Sequence, residues 1–152
     1  MSIDARLNEL GIALPDAPKP VANYVPAVRA GNLVYISGQV SAAGGEAVKG
    51  TLGKDVSLED GQAAARLCAL AILAQVNAAV GSLDKVKRIV KLGGFVACTP
   101  EFDQHPAVIN GASDLMVEVF GDKGKHARFA VGVPSLPLGF AVEIDAVVEV
   151  EG

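Results

Sequence analysis

Metal-binding residues are scarce in this sequence. Its 152 residues include two Cys, two His and no Trp, and aromatic residues make up only 5%. The two histidines, His105 and His126, are far apart in the chain, and the cysteines lack the spacing of metal ligands. We therefore predict no metal site.

The two cysteines, Cys68 and Cys98, each lie in an apolar stretch. Apolar surroundings are typical of buried free thiols, which suit a reducing cytoplasm, and we take that as the predicted location. No basic residue adjoins Cys98 in the sequence, so we interpret it as a core thiol rather than a reactive one.

Long apolar runs and excess positive charge are also missing. No run reaches the roughly 18–20 uninterrupted apolar residues of a membrane helix. The N-terminus carries Asp4, Arg6 and Glu9, unlike a signal peptide. A net charge of −4 and a pI of about 5.1 argue against a nucleic-acid partner, because phosphate binding depends on clustered Lys and Arg. We therefore expect neither a membrane nor a nucleic acid as partner.

The chain length fits one domain over residues 1–152, in which residues 1–20 form an N-terminal helix and a Pro-rich connector. Ser57 and Asp60 form a capping pattern before an Ala-rich run, and Pro106 opens a second apolar-periodic segment. We expect helices over residues 2–11, 57–80 and 106–120, and strands within 23–40 (two, about a turn at 30–32), 85–99, 128–133 and 139–150.

This order, β-β-α-β-α-β-β, predicts an α+β fold in which two helices pack on one face of a mixed sheet. The stretches LVYISGQV and FAVGV are nevertheless apolar at nearly every position, as in strands buried on both faces. The second face needs a cover, and we predict self-association in a closed ring. Gly93-Gly94, inside a strand, indicates a bulge or the close approach of another backbone.

Three charged residues stand out in the last two strands: Arg128, Glu143 and Asp145. Two interpretations are open. The three charged side chains can lie on the solvent-exposed face of a strand pair, as charged residues on strands usually do. Alternatively, the arginine can grip a carboxylate through two charge-assisted hydrogen bonds, while a carboxylate on the neighbouring strand acts as a general base toward water.

The segments YISGQV (35–40) and HARFAVGVPSLPLGFAVEIDAVVEV (126–150), with the element order, resemble the Rid family of reactive-intermediate deaminases, also called the YjgF family. The resemblance covers residues 21–150. It implies a chorismate-mutase-like fold and a homotrimer with sites between subunits. The implied reaction is hydrolysis of 2-enamino and 2-imino acids, such as 2-aminoacrylate, to 2-keto acids and ammonia without a cofactor.

The resemblance also implies roles for individual residues. Arg128 matches the arginine that holds the substrate carboxylate, and Glu143 matches the glutamate that positions water; these are the predicted catalytic residues. The predicted substrate-binding residues are Tyr24, Ser37, Gly38, Asn110 and Ala130. Tyr24 can instead be a packing aromatic at an interface, and Asn110 a solvent-facing helix residue.

The chain departs from the family pattern in places. Ala22-Asn23 stands where the family often has Gly-Pro, and Phe129-Ala130-Val131 replaces Ser-Cys-Val. The N-terminal extension is longer, which indicates a distinct subgroup. Two other functions therefore stay open: a non-catalytic trimer that binds small carboxylic acids, and an endoribonuclease or translation inhibitor, against which the acidic pI counts.

Overall fold

A five-stranded mixed sheet organises the computed structural model of the chain, which describes residues 1–19 and 22–152. The strands are β1 (Ala27–Ala30), β2 (Leu33–Val40), β3 (Ala42–Ala43), β4 (Glu46–Ala47), β5 (Val86–Ala97), β6 (Ala127–Val133) and β7 (Val142–Val150). The helices are α1 (Ile3–Glu9), α2 (Leu58–Val80) and α3 (His105–Phe120). The predicted α+β order is confirmed. Pro20, in the predicted connector, lies outside the described residues.

The strand order in the sheet is β1-β2-β7-β5-β6, in which β5 and β6 are parallel and the other pairs are antiparallel. The short strands β3 and β4 form a separate hairpin in the Gly-rich segment between β2 and α2. The last strand of the sequence therefore lies in the middle of the sheet, and β6 forms one edge.

Local capping chemistry sets the helix ends where the sequence predicts them. The Ser57 hydroxyl accepts a hydrogen bond from the Asp60 backbone N–H at 3.1 Å, and α2 ends at Gly81 with a φ of 88°. Glycine reaches that left-handed conformation without steric cost, so it suits a helix end. Helix α3 carries Pro106 in its first turn and ends at Gly121.

Helix α2 is long and apolar enough to cross a membrane by length and composition alone. Of its most hydrophobic window, 67% is buried inside the domain, against β7 and β2. Such burial is typical of a core helix, which has the same composition as a membrane span.

The two faces of the sheet differ sharply. Along β7, alternate residues are buried beneath the helices, namely Val142, Ile144, Ala146, Val148 and Val150. We call this side the covered face. The other side, the open face, carries Glu143 and Asp145 from β7. It also exposes four large apolar side chains, Val28 (53%), Tyr35 (47%), Phe129 (36%) and Val131 (43%).

Gly93 and Gly94 lack side chains, so neighbouring side chains pack directly against the backbone of β5, on the open face at Gly93 and on the covered face at Gly94. A Cβ on Gly94 would lie 2.7 Å from Ile109 of α3, and one on Gly93 would lie 2.7 Å from the Phe129 ring. The approaching groups are side chains, so the expectation of another backbone is wrong. The register shifts of β5 against β7 come earlier, between residues 86 and 91, so the expectation of a bulge at Gly93-Gly94 is also wrong.

Candidate active site

Glu143 lies where β2 is irregular. The pairing of β2 with β7 shifts between Ile36 and Gln39, so Ser37 and Gly38 form a bulge opposite Asp145, next to the position where Val40 pairs with Glu143. A Cβ on Gly38 would overlap a carboxylate oxygen of Glu143. The glycine therefore leaves the space in which the Glu143 carboxylate lies against the backbone of β2.

An apolar cavity of about 290 Å³ opens in front of this carboxylate. Three predicted site residues line it, Tyr24, Gly38 and Glu143, together with Val40, Leu138, Phe140 and others. We call it the Glu143 cleft. Ser37 lies beside it and fixes the segment that carries Tyr24: its hydroxyl donates to the Val25 carbonyl and its backbone N–H to the Pro26 carbonyl, each at 2.9 Å.

The surroundings of Glu143 make its carboxylate a better proton acceptor than an ordinary glutamate. Partial burial raises the pKa of Glu143, and the negative charge of Asp145, two residues along the same face, raises it further. A carboxyl group with a raised pKa exchanges its proton with bound water nearer to neutral pH.

Arg128 lies on β6, on the covered face, against α3. Its Nη1 donates to the Ser113 hydroxyl at 3.0 Å and its Nη2 to the Pro106 carbonyl at 3.3 Å. The guanidinium has five N–H donors, so these two bonds orient it and leave donors for a ligand.

A polar chain continues behind Ser113. The Ser113 hydroxyl lies 2.9 Å from His126 Nε2, and His126 Nδ1 lies 2.6 Å from the Gly124 carbonyl. A carbonyl only accepts, so Nδ1 carries the proton and Nε2 accepts from the Ser113 hydroxyl. Ser113 thus has both its donor and an acceptor engaged: it binds Arg128 directly, and His126 orients the Ser113 hydroxyl from behind. Sequence reasoning missed the role of both residues: Ser113 belongs to no motif, and His126 was considered only as a metal ligand.

Asn110 and Ala130 lie on the same side as Arg128. Asn110 is exposed and follows Pro106 by one helical turn, on the face of α3 that also carries Ser113. Ala130 is the next residue of β6 that faces the helices. We call the group of Arg128, Asn110, Ser113 and Ala130 the Arg128 ledge.

The predicted residues therefore form two groups that do not meet within one chain. Across the sheet, Glu143 pairs with Phe95 and then Val131, whereas Arg128 pairs with Leu92. The two side chains thus project from opposite faces. Two strand spacings across the sheet and three residues along β6 place their backbones roughly 14 Å apart. A joint site for both residues requires a second copy of the chain, and its existence stays a prediction.

The two cysteines differ in their surroundings. Cys68 is fully buried, as predicted. Cys98 is only partly buried, and its Sγ lies 3.3 Å from His105 Nε2, so the interpretation of Cys98 as a core thiol without a basic neighbour is wrong. His105 is seven residues further along the chain, and the turn between β5 and α3 places it beside Cys98.

Within residues 1–19 and 22–152, no three His, Cys, Asp or Glu side chains are arranged to hold a metal ion.

The chain matches, over residues 4–149, the family described as "YjgF/chorismate mutase-like, putative endoribonuclease". It belongs to this family. Among its YjgF-family relatives, protein TCP17 of Trypanosoma cruzi is 50% identical over 149 residues, which cover 97% of this chain and 93% of that protein. The 2-iminobutanoate/2-iminopropanoate deaminase of Dermatophagoides farinae is 32% identical over 142 residues, covering 92% and 95%.

Among solved structures, the Agrobacterium tumefaciens protein Atu1372, whose function is unknown, is 53% identical with a TM-score of 0.91. The match covers 98% of this chain and 92% of that chain. The predicted resemblance to the YjgF family is thus confirmed. Deaminase activity is named for one relative at 32% identity, whereas the Atu1372 structure, at 53%, carries no assigned function.

Proposed function

We propose that this YjgF-family protein is a cofactor-independent deaminase that hydrolyses 2-enamino and 2-imino acids, such as 2-aminoacrylate, to 2-keto acids and ammonia. The observation that carries the proposal is the half-buried Glu143 carboxylate at the wall of an apolar cleft. The oriented guanidinium of Arg128 supplies the second group that the reaction needs. The Dermatophagoides farinae relative is named as a 2-iminobutanoate/2-iminopropanoate deaminase, which supports the same reaction.

The proposed mechanism begins with substrate binding. Free N–H donors of Arg128 hold the substrate carboxylate through charge-assisted hydrogen bonds, which fix the position of C2. The imine carbon is already electrophilic, and protonation of its nitrogen makes it more so. Positioning of this kind supplies several kcal/mol of the barrier in favourable cases.

Glu143 then handles the protons. Its carboxylate takes a proton from a water molecule as the oxygen attacks C2, which gives a carbinolamine. The protonated Glu143 returns the proton to the nitrogen, the C–N bond breaks and ammonia leaves. Loss of the hydroxyl proton forms the keto group. The raised pKa of Glu143 suits both steps, because the group must accept and release one proton in each turnover.

We further propose that the complete site forms between copies of the chain in a homotrimer. The Arg128 ledge of one copy would face the Glu143 cleft of the next, because the two groups lie apart within one chain. The apolar side chains of the open face, among them Phe129 and Val131, supply surface for such an interface. A head-to-tail contact that joins unlike surfaces closes into a ring when the rotation between neighbouring copies divides a full turn.

The activity test generates 2-aminoacrylate with a serine dehydratase and follows release of the keto acid. We expect the protein to accelerate release, and Arg128→Ala or Glu143→Gln to lower the rate by about 10²-fold or more. Matched controls are Arg66→Ala, on the outer side of α2, and Glu149→Gln, on the same strand and face as Glu143. Both controls should keep the wild-type rate.

Mixing the two inactive variants tests the shared site. In rings assembled from equal amounts of Arg128→Ala and Glu143→Gln chains, about a quarter of the interfaces combine an intact Arg128 with an intact Glu143. Activity should return to roughly that fraction of wild type. No recovery in rings shown to be mixed would contradict a site between copies.

Two other outcomes would replace the proposal. If the wild-type protein does not accelerate keto acid release but still binds carboxylic acids, a non-catalytic binding function is favoured. RNA degradation that survives both Arg128→Ala and Glu143→Gln would favour an endoribonuclease, in line with the description of the family.

A further inference from the structure

A second pair of reactive groups lies outside the Glu143 cleft. Cys98 Sγ is 3.3 Å from His105 Nε2, on the covered side just beyond the end of β5. The pair lines an open cavity of about 620 Å³, together with Lys54, Thr51, Thr99 and others. This cavity shares no lining residue with the Glu143 cleft.

The backbone holds Cys98 in place. Its N–H donates to the Val133 carbonyl at 3.1 Å, and the next residue, Thr99, donates to the Leu52 carbonyl at 3.0 Å. Cys98 therefore extends the sheet between the end of β6 and the loop that contains Leu52. Its side chain is presented to the cavity from a fixed backbone.

Two further contacts keep the thiol and the imidazole together. A Cβ on Gly132, in the neighbouring strand, would lie 2.6 Å from both Cys98 Sγ and His105 Nε2, so the pair fits only because this residue is glycine. The Phe102 ring packs edge-on against the His105 ring, with centroids 5.4 Å apart. The pair is thus a fixed arrangement, with Gly132 leaving room for both groups and Phe102 packed against the imidazole.

The two thiols of the chain are suited to different roles. Burial raises the pKa of Cys98, so its sulfur is held as S–H and needs a base to become a nucleophile; His105 Nε2 is within reach for that transfer. Cys68 is fully buried, and its Sγ lies 3.5 Å from the Val142 carbonyl, which cannot take its proton. Cys68 is therefore an internal reference for an inert thiol.

We propose that Cys98 and His105 form a nucleophilic pair that captures small α,β-unsaturated carbonyl compounds bearing a carboxylate, with Lys54 as the cation that attracts the carboxylate. His105 Nε2 takes the Cys98 proton while the sulfur bonds to the β-carbon, and the C=C electron pair moves to form the enolate. The imidazolium returns the proton to the α-carbon. The product is a thioether, and no oxidant or reductant is needed.

The test uses iodoacetate and iodoacetamide, which alkylate thiols with loss of iodide and differ in charge. Peptide mapping by mass spectrometry gives the rate at each cysteine of the folded wild-type protein. We expect Cys98 to react at least about 10²-fold faster than Cys68, because Cys98 has both access to the reagent and a neighbouring base, whereas Cys68 is fully buried. Equal rates at the two cysteines would overturn the proposal without any variant.

Variants separate the roles of the neighbours. His105→Gln should slow alkylation of Cys98 by both reagents, and Gly132→Ala should do the same by displacing the pair. Lys54→Met should slow iodoacetate roughly fivefold, the effect of one exposed charge, and leave iodoacetamide unchanged. Lys87→Met, an exposed lysine at the other end of β5, is the control.

Each variant is first shown to unfold at a temperature close to that of wild type. The pair is disproved if His105→Gln leaves the rate at Cys98 unchanged, and the carboxylate preference is disproved if Lys54→Met slows both reagents equally. The readout is alkylation, so it does not depend on whether the protein is a deaminase.

Discussion

The covered face of the sheet holds the buried residues that stabilise the fold, whereas the open face holds the carboxylates of β7. On the covered face, β7 places Val142, Ile144 and Val148 beneath α2, where all three are fully buried. On the open face, the same strand carries Glu143 and Asp145. Because successive side chains of a strand point to opposite sides, a single strand serves both purposes. The residues that fix the fold and those available to a ligand are therefore neighbours in sequence.

The contrast extends to the edge strand. Phe129 and Val131 of β6 are apolar yet more than a third exposed, while Arg128 and Ala130 of the same strand face the helices. In a single chain this distribution is inverted, since the charge faces the covered side and the apolar residues face water. Exposed apolar side chains grouped on an edge strand are typical of a surface that another protein covers.

The largest effect is expected for Ile144→Ala on the covered face. Ile144 is fully buried in the core, so the lost contacts and the remaining cavity should cost about 2–5 kcal/mol of unfolding free energy. Val147→Ala, on the open face of the same strand, is the matched control and should cost less than about 1 kcal/mol. Urea denaturation measures both, and equal losses would contradict the division between the faces.

Ser113 of α3, on the covered side, contacts the predicted catalytic residue Arg128, so a substitution there tests whether a residue on this side affects only stability or also substrate binding. Ser113→Ala removes the hydroxyl that accepts from Arg128 and donates to His126, which should cost about 1 kcal/mol of stability. If Ser113 positions Arg128, the KM for a 2-imino acid should also rise more than kcat falls. Ser113→Thr keeps the hydroxyl and should restore KM. A stability loss with unchanged KM would leave Ser113 a purely structural role.

The sequence predicted the helices well because their ends depend on nearby residues. Ser57 with Asp60, and the glycines at positions 81 and 121, act within one turn of the helix that they bound. The alternation in β7 was equally local, and it assigned Glu143 and Ile144 to opposite faces. Periodicity along one element was therefore sufficient for the elements and for most of the core.

The candidate site depends on contacts between elements, which a single segment does not encode. The bulge at Ser37-Gly38 arises from the pairing of β2 with β7, and the faces of Arg128 and Glu143 follow from the register of both strands with β5. The contact of Cys98 with His105 likewise needs the turn that joins β5 to α3. Each of these features appears only once separate elements of the fold have packed together.

A smaller effect on the chain's own stability is expected for Val131→Asp on the open face. Val131 is 43% exposed, so the charge should change the unfolding free energy of a single chain by less than about 1 kcal/mol. The same charge should disrupt any interface that covers Phe129 and Val131. Sedimentation velocity should show a smaller particle than wild type, and Lys87→Asp, an exposed position elsewhere on β5, should leave the size unchanged.

The smallest effect, and the only stabilising one, is expected for Glu143→Gln. Burial and then the charge of Asp145 raise the Glu143 pKa above its ordinary value of 4.5, so the folded state resists ionisation. Below that value, the group is protonated in both folded and unfolded chains and the penalty is absent. As the pH rises through the interval up to the raised pKa, wild type loses stability that the neutral glutamine keeps.

Glu143→Gln should therefore match wild type at about pH 4 or below and exceed it at about pH 7, by less than about 1 kcal/mol because the carboxylate is half-exposed and screened. Urea denaturation across this range measures the difference. In an Asp145→Asn background the difference should shrink but persist, because burial is the larger cause of the raised pKa. A difference that vanishes there would mean that repulsion between the two carboxylates, rather than the apolar wall of the Glu143 cleft, sets the proton affinity of Glu143.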